Sequence, residues 1–264
     1  MARRRSERRP DLSPGTTQVE GRRPVLEALR AGRPLRKLLV AHSHPSSGPL
    51  HDLISEARRR GIPVQDVPPA VIDRLAHTRA PQGVIAYVAA HATVDVDDLL
   101  ALARTRGEAP FVLLLDGVTD PGNLGAILRS AEAAGAHGVV IPRHRAAGLT
   151  PVVAAASAGA IEHVRVAQTS NLTNAMERLK AEGVWVIGAD PAATAMSIYE
   201  AQLRPPLALV VGGEGRGLSR LVRERCDLLV RIPMHGATAS LNVSVAAALL
   251  LFEVRRQMRD PGDQ

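Results

Sequence analysis

Five polar residues in the C-terminal half of the chain have side chains suited to binding and orienting a polar substrate. They are Asn123, Arg129, Glu214, Ser240 and Asn242. Amides, a hydroxyl and a carboxylate exchange hydrogen bonds with a substrate, whereas a guanidinium offers a planar fork to a phosphate or a developing anion. Arg129 lies six residues after Asn123, about one turn into a helix that starts there. Taken alone, Arg129 also fits a surface ion pair with Glu132.

The candidate residues fall in or beside three loops that are rich in Gly, Asn and Pro. The loops span 116–125, 212–217 and 234–242, and each is predicted to follow a strand. In open parallel sheets, ligands bind where the carboxyl ends of the strands meet the loops. Glycine lets the backbone approach a ligand closely. One such loop is weak evidence, but three together predict a binding site at one edge of a sheet.

Several common kinds of site are excluded by the spacing. The chain has no G-x-x-x-x-G-K-[ST] sequence, and neither lysine follows a glycine, which excludes a P-loop nucleotidase. The glycine-rich loops also lack the G-x-G-x-x-G spacing of a dinucleotide site. The chain also lacks the H-E-x-x-H sequence and any Cys/His spacing typical of a metal site. Ser219 and Ser240 have no His–Asp partner nearby in the sequence.

The elements that must position these loops are predicted from apolar runs and helical spacing. In the C-terminal region we expect strands at 111–115, 138–141, 162–166, 184–189, 207–211 and 228–232. Helices are expected at 126–134, 151–158, 172–182, 218–225 and 242–258, where Ser240 and Asn242 can cap the last one. This alternation predicts an α/β fold whose mostly parallel sheet is covered on both faces.

The N-terminal region predicts a smaller α/β domain. Strands are expected at 35–41, 62–67 and 82–88, and helices at 23–30, 50–60 and 69–76. The chain therefore divides into a disordered basic arm (1–17), an N-terminal domain (18–90), a linker (91–109) and a catalytic domain (110–260). A helix is expected within the linker, at 96–104. The arm carries five arginines among its first nine residues. It either adds non-specific RNA affinity or is a solvated tail without effect.

Composition favours a polyanionic partner. The 264-residue chain has a formal net charge of +7, and only 2% of its residues are aromatic. Phosphate contacts are therefore a better basis for nucleic-acid binding than base stacking. Cationic charge is almost all arginine, which suits phosphate but also fits a GC-rich genome. The single Cys226, the lack of a signal-peptide core and the lack of an apolar run long enough for a membrane predict a cytoplasmic protein.

Read together, the three loops resemble the SpoU family of RNA ribose 2′-O-methyltransferases, within the SPOUT superfamily. The first motif runs from Asp116 through Asn123-Leu-Gly125 to Arg129-Ser-Ala131. The second is Gly212-Gly-Glu-Gly-Arg-Gly-Leu218. The third runs from Ile232-Pro-Met234 to Ser240-Leu-Asn-Val-Ser-Val-Ala246. The resemblance covers residues 110–258, and three ordered motifs at compatible spacing are specific.

The N-terminal region is also similar to part of this family. Val19-Glu-Gly21 through Leu29, followed by Gln82-Gly-Val-Ile-Ala86, resembles its L30e-like RNA-binding domain. Pro81 departs from the histidine that the family commonly has before Gln-Gly. This arrangement resembles 23S rRNA guanosine 2′-O-methyltransferases that modify the peptidyl-transferase P loop. Thiostrepton-resistance methyltransferases, which act on an rRNA adenosine, share it.

The resemblance implies a C-terminal trefoil knot, a homodimer and S-adenosylmethionine as cofactor. It implies that backbone groups of Gly212, Ile232 and Leu241 hold the cofactor, with Gly213 and Met234 lining the pocket. The same family has an essential arginine at the position of Arg129, often assigned as the base. Because a guanidinium stays protonated, we expect Arg129 to orient a phosphate and stabilise the developing alkoxide. Asn123, Glu214, Ser240 and Asn242 are then expected to hold the geometry of Arg129 and of the ribose.

Besides the resistance-type rRNA adenosine methyltransferase, two alternatives remain at this point. A tRNA ribose methyltransferase would use the same catalytic domain, although the extra N-terminal domain favours rRNA. A non-enzymatic RNA-binding protein would share the basic charge, but it would have no need for Asn123, Arg129 and the Ser240-Leu-Asn242 sequence together.

Overall fold

The computed structural model describes residues 15–42, 48–192 and 194–258, and the chain forms two compact units. Unit 1 contains the described residues up to His91 together with Leu149–Gly159, and unit 2 contains Ala92–Gly148 and the described residues from Ala160 onward. The first 14 residues of the predicted basic arm lie outside the described residues. Thr16 and Thr17, also predicted in that arm, begin a strand instead, because they pair with a strand of unit 1.

Unit 1 is a four-stranded sheet with helices packed against it. Its strands are β1 (Thr16–Glu20), β2 (Leu35–Ala41), β3 (Val64–Val67) and β4 (Val84–Ala89). Its first three helices are α1 (Arg22–Arg30), α2 (Pro49–Arg59) and α3 (Pro69–Leu75). The strand order is β1-β4-β2-β3, with β4 antiparallel to β1 and β2 and with β3 parallel to β2. The α/β character predicted for this region is confirmed, and β1 is the strand that the prediction missed.

Both faces of the unit 1 sheet are buried at its centre, which explains the apolar runs 38–41 of β2 and 84–89 of β4. Leu38 and Val40 pack in a cluster with residues of α1 and α2. Leu39 and Ala41 pack in a second cluster with Ile72 of α3. Successive residues of a strand point to opposite faces, so each helix layer covers one set.

A buried carboxylate fixes one loop of unit 1. Glu20 is only 1% exposed. Its two oxygens accept hydrogen bonds from Gln18 Nε2, His77 N, Thr78 N and Thr78 Oγ1 at 2.6–2.9 Å. A buried charge needs such partners, because removing it from water is costly. The bonds hold the segment that leads from α3 toward β4.

A segment from later in the sequence completes unit 1. Helix α6 (Pro151–Ala156) follows its N-cap residue Thr150, whose Oγ1 accepts from Val153 N at 3.4 Å. α6 packs against β1. Gly159 has φ +94°, and a Cβ there would lie 2.5 Å from Glu27 Cγ. The close approach and the positive φ both require glycine at this position.

Unit 2 is built on a seven-stranded parallel sheet with the order β7-β6-β5-β10-β8-β11-β9. Its strands are β5 (Phe111–Asp116), β6 (Gly138–Pro142), β7 (Val166–Thr169), β8 (Trp185–Ala189), β9 (Met196–Ser197), β10 (Leu207–Gly212) and β11 (Leu228–Arg231). Its helices are α4 (Val96–Arg106), α5 (Pro121–Ala133), α7 (Leu172–Lys180), α8 (Arg220–Glu224) and α9 (Val243–Met258). The sheet was predicted to be mostly parallel, and every strand pair is parallel.

Helices cover both faces of this sheet. On one face, residues of α4, α7 and α8 share a buried cluster with alternate residues of β5, β6, β8 and β10. α5 and α9 pack against each other, and α9 also packs against β10. The predicted fold class is therefore confirmed, while the trefoil knot stays a prediction. The predicted linker at 91–109 contains α4, whose Leu99 and Leu100 are buried in unit 2.

Two element boundaries in unit 2 were predicted wrongly. Residues 162–166 were predicted as a strand, but the structure has a 3₁₀ turn at Ala160–Glu162 and starts β7 at Val166. Its partner β6 begins at Gly138, and the pairing of the two strands begins with Val139 opposite Val166. Helix α5 starts at Pro121 rather than at residue 126, because Asp120 caps it and proline fits its first turn.

Among the described residues, the structure has no helix that is both long enough and apolar enough to cross a membrane.

Candidate active site

Three loops at the carboxyl edge of the unit 2 sheet are tied together by hydrogen bonds. β10 lies directly beside β5, and both strands end at this edge, at Gly212 and Asp116. Asp116 O accepts from Gly213 N at 2.8 Å, and Asp116 Oδ2 accepts from Ser219 N at 2.6 Å. A Cβ on Gly213 would lie 2.3 Å from Gly117 O. The first two loops therefore pack backbone to backbone, which only glycine allows at Gly213.

A cluster of three side chains joins all three loops. Glu214 Oε1 accepts from Asn123 Nδ2 at 3.0 Å and from Asn242 Nδ2 at 2.7 Å. Asn242 Nδ2 also lies 3.0 Å from Asn123 Oδ1. These residues were predicted to share a site, and the structure brings them together although Asn123 and Asn242 are 119 positions apart in the chain.

The helix starts fix the two amides of this cluster. Asp120 Oδ1 accepts from Asn123 N at 2.7 Å, which places Asn123 in the first turn of α5. Asn242 precedes α9, and its Oδ1 accepts from Ser244 N at 2.9 Å and Ser244 Oγ at 2.6 Å. This leaves Asn242 Nδ2 to point toward Glu214. One amide therefore caps a helix with its oxygen and holds the site with its nitrogen.

A cleft opens beside the cluster, with a volume of about 620 Å³. That volume falls within the range of roughly 300–1,000 Å³ that is typical of small-molecule sites. Its lining includes every residue predicted to hold the cofactor, namely Gly212, Gly213, Ile232, Met234 and Leu241. Ser240 also lines it, as do Glu214 and Asn242 of the cluster, whereas Asn123 does not.

Arg129 is placed differently from what the sequence suggested. Because α5 starts at Pro121, Arg129 lies eight residues along the helix, about 12 Å from its start. It is exposed, is not among the residues lining the cleft, and does not form the alternative ion pair with Glu132 in the described part of the chain. Its guanidinium is free to meet a ligand. Ser240 is likewise exposed and caps nothing in the described part of the chain.

An ion pair in the cleft wall was not predicted from the sequence. Arg223 Nε lies 2.8 Å from Asp190 Oδ2, and both residues line the cleft. The signal was present, because Asp190 directly follows a predicted strand at the carboxyl edge. Asp116 was also missed as a site residue, although it begins the first motif. Within residues 15–42, 48–192 and 194–258, no group of three His, Cys, Asp or Glu residues is arranged to hold a metal ion.

Partial burial makes Cys226, the one cysteine of the chain, unreactive; it packs against the buried cluster of unit 2. Cys226 Sγ donates to Val222 O at 3.3 Å. Burial raises the pKa of the Cys226 thiol to about 12, so the thiol stays neutral near pH 7. A nucleophilic cysteine needs the thiolate, and Cys226 is therefore not a candidate nucleophile.

Comparison with known proteins places both parts of the chain in one family. Residues 110–252 match the model of the SpoU rRNA methylase family. Residues 18–94 match the model described as RNA 2′-O ribose methyltransferase substrate binding. A Bacillus subtilis protein named as a TrmH family tRNA/rRNA methyltransferase, YacO, is 45% identical over 245 residues, which are 93% of this chain and 97% of that protein.

Solved structures agree over both units. The SpoU methyltransferase AviRb of Streptomyces viridochromogenes, in complex with AdoMet, is 30% identical and matches with a TM-score of 0.75 over 92% of this chain and 90% of its own. An AdoMet-bound rRNA methyltransferase of Sinorhizobium meliloti is 26% identical, with a TM-score of 0.74 over 93% of this chain and 89% of its own. The chain therefore belongs to the SpoU rRNA methylase family.

Proposed function

We propose that this chain methylates the ribose 2′-hydroxyl of a guanosine in 23S rRNA, in the peptidyl-transferase P loop that the sequence resemblance indicates. The chain is an RNA 2′-O-ribose methyltransferase that uses S-adenosylmethionine. The observation that carries the proposal is the Asn123–Glu214–Asn242 cluster at the rim of the cleft. Support for rRNA comes from the Sinorhizobium meliloti rRNA methyltransferase, whose similarity extends over both units.

The residues of the cleft fit the cofactor. Backbone groups of Gly212, Ile232 and Leu241 would hold it, with Gly213 and Met234 beside them. The wall mixes apolar side chains with exposed backbone, which suits a ligand with an apolar body and a few polar groups. When bound, S-adenosylmethionine supplies an electrophilic methyl group on a sulfonium.

The protein must orient the ribose and manage its proton. A 2′-hydroxyl is a weak nucleophile and loses its proton as it attacks the methyl group. Asn123, Glu214 and Asn242 would orient that ribose, with the Ser240 hydroxyl beside them on the cleft wall. Arg129 would hold the phosphate of the target nucleotide and stabilise the developing alkoxide. A phosphate oxygen or water would then take the proton, because a guanidinium is a poor base.

The role of Arg129 is tested by Arg129→Ala. We expect the affinity for S-adenosylmethionine, measured by calorimetry, to stay the same because Arg129 does not line the cleft. We expect methyl transfer to fall by about 10²- to 10³-fold, as when one electrostatic stabiliser is removed from an active site. Arg106→Ala is the control, because Arg106 is also exposed but ends α4, just before β5 begins at the opposite edge of the sheet. Unchanged turnover in Arg129→Ala would refute the assignment.

The target RNA is tested by mapping ribose methylation across rRNA and tRNA in cells with and without the gene. Loss of one guanosine mark in the P loop supports the proposal. Loss of a tRNA mark instead would favour a tRNA substrate, which the name of YacO, a tRNA/rRNA methyltransferase, also includes. Loss of an adenosine mark in an rRNA hairpin would indicate a resistance-type enzyme. An rRNA substrate also implies a cytoplasmic location.

A homodimer is proposed from an apolar stripe on α9. Val245, Leu249 and Phe252 recur at helical spacing and are 47%, 40% and 50% exposed. A stripe of large apolar side chains on one helix face is typical of a protein interface. A second copy of the chain is the occupant that the sequence resemblance indicates. We expect light scattering to give a molar mass of twice the chain mass for the wild type. Phe252→Glu should lower the measured mass toward that of a single chain.

A further inference from the structure

An arginine-rich loop lies at the carboxyl edge of the unit 2 sheet, directly after β6. We call residues 143–147, with the sequence Arg-His-Arg-Ala-Ala, the basic loop. The side chains of Arg143, His144 and Arg145 are all exposed. Within the described part of the chain, none of these three side chains has a hydrogen-bond or ion-pair partner. None of the three was predicted as a site residue.

The backbone of the basic loop is anchored beside the first catalytic loop. Ala147 is buried, and its N donates to Val118 O at 2.9 Å. Arg143 N donates to Thr169 O, at the end of β7, at 2.7 Å. Because β6 is paired in parallel with β5, the basic loop leaves the sheet at the same edge as the loop that begins at Asp116. The exposed arginines are therefore held close to the catalytic edge.

The conformation of the loop adds to this picture. Arg145 has φ +57°, in the left-handed region that a residue with a Cβ adopts only at an energetic cost. Glycine would adopt the same conformation without strain. Because arginine is less favourable than glycine in this conformation, the geometry of the turn does not explain why residue 145 is an arginine.

Several exposed arginines at this edge of unit 2 are not paired with a carboxylate. Six other arginines of the unit are so paired, including Arg223 in the cleft wall, namely Arg104, Arg178, Arg220, Arg223, Arg225 and Arg256. Arg106 and Arg165 at the opposite edge are exposed and unpaired among the described residues. Arg143 and Arg145 have no such partner among the described residues, nor do Arg129 and Arg216, which also belong to this edge or its adjoining helix. Uncompensated positive charge beside a binding site attracts an anionic ligand.

We propose that the basic loop binds backbone phosphates of the RNA strand next to the nucleotide whose ribose is methylated. A guanidinium matches a phosphate with two parallel hydrogen bonds. Such contacts fix the position of the strand without reading its bases. Arg143 and Arg145 are thus positioning residues for the RNA, distinct from the cofactor cleft. The inference rests on the proposed function, because it takes RNA as the substrate.

The test compares two double variants that each remove two positive charges. Arg143→Ala/Arg145→Gly removes the proposed contacts and relieves the strained backbone. Arg106→Ala/Arg165→Ala is the matched control, because both arginines are exposed, have no partner in the described part of the chain, and precede β5 and β7 at the opposite edge. Binding of an unmodified 23S rRNA transcript is measured by filter retention at several salt concentrations, together with kcat and KM for methyl transfer.

The expected result is a smaller salt dependence of RNA binding. Two lost phosphate contacts reduce the slope of log affinity against log salt by about 1.4 to 1.8. KM for RNA rises at least about tenfold, because hydrogen bonds to charged groups are among the stronger ones. We expect kcat, the melting temperature and the affinity for S-adenosylmethionine to stay near those of the wild type. The control is expected to keep the wild-type slope.

Other outcomes separate the two proposals. A wild-type slope in Arg143→Ala/Arg145→Gly, or an equal loss in the control, overturns the basic loop as a phosphate contact. Weaker binding of S-adenosylmethionine overturns it too, because the loop would then act on the cofactor. In another outcome, the salt dependence of RNA binding is smaller in Arg143→Ala/Arg145→Gly than in the wild type, but no tested RNA accepts a methyl group. The proposed rRNA substrate then fails, and the basic loop stands as a phosphate contact.

Discussion

Asn242 combines two roles that mutation can separate. Its Oδ1 caps α9 through Ser244 N, and its Nδ2 donates toward Glu214 and Asn123. Asn242→Ala removes both roles. Asn242→Ser keeps a good helix cap but has no amide nitrogen to reach Glu214. The comparison therefore assigns stability to one atom and site geometry to the other.

The magnitudes follow from these contacts. Losing an N-cap costs about 1 kcal/mol, and each exposed hydrogen bond contributes about 0.5–1.5 kcal/mol. We expect Asn242→Ala to lower the free energy of unfolding by about 2 kcal/mol. Asn242→Ser should lower it by about 1 kcal/mol, because only the bonds to Glu214 and Asn123 are lost. Both variants should lose about 10²-fold in kcat/KM, because small misplacements of reacting groups have effects of that size.

Urea unfolding and transfer of a radiolabelled methyl group to RNA measure the two quantities on the same preparations. Ser244→Ala is the control, since it removes only the hydroxyl that donates to Asn242 Oδ1. It should keep nearly full activity. Wild-type activity in Asn242→Ser would refute the argument that the amide nitrogen positions the site. Equal stability of Asn242→Ser and Asn242→Ala would refute the capping role.

Three further perturbations test other parts of the structure. Cys226 should resist iodoacetamide at pH 8 in the folded protein and react in urea. Burial raises the pKa of its thiol from 9.0 to about 12. The contribution of Cys226 to stability is therefore complete below pH 9 and declines as the pH rises toward 12. Gly212→Ala should weaken cofactor binding and stability, because its Cβ would lie 2.1 Å from a backbone carbon of Gly217, whereas Gly236→Ala meets nothing within 4 Å and should change calorimetric affinity little. Glu20→Gln should lower the free energy of unfolding by about 1.5–3 kcal/mol in urea titrations, because one amide NH₂ would face donors that now meet a carboxylate.

The sheet of unit 2 was predictable because its strands are buried on both faces. β5 and β10 are continuous apolar runs, and their predicted spans differ from the observed ones by a single residue. Parallel strands send their carboxyl ends to one edge, so the loops after them had to meet. The Asn123–Glu214–Asn242 cluster follows from that topology, although the sequence could not specify which atoms bond.

Features that depend on the choice of tertiary partner were not predictable. The helix at residues 151–156 has an apolar face, but nothing local in its sequence shows that it packs against β1 in unit 1. The start of β7 was wrong because strand ends depend on the extent of the neighbouring strand. The distance of Arg129 from the start of its helix was underestimated because the cap at Asp120 lengthens α5 at its start.

Hydrogen bonds at the starts of three helices hold the residues of the active site in place. Asp120 caps α5 and fixes Asn123, Asn242 caps α9, and Asp116 holds Ser219 at the residue before α8. Each of these bonds would be needed to satisfy a backbone group whether or not the protein were an enzyme. Because the same bonds aim the amides at Glu214, the cluster is formed by the fold itself. The binding energy of cofactor and RNA is then available to bring the ribose to the methyl group, because little of it has to order the loops.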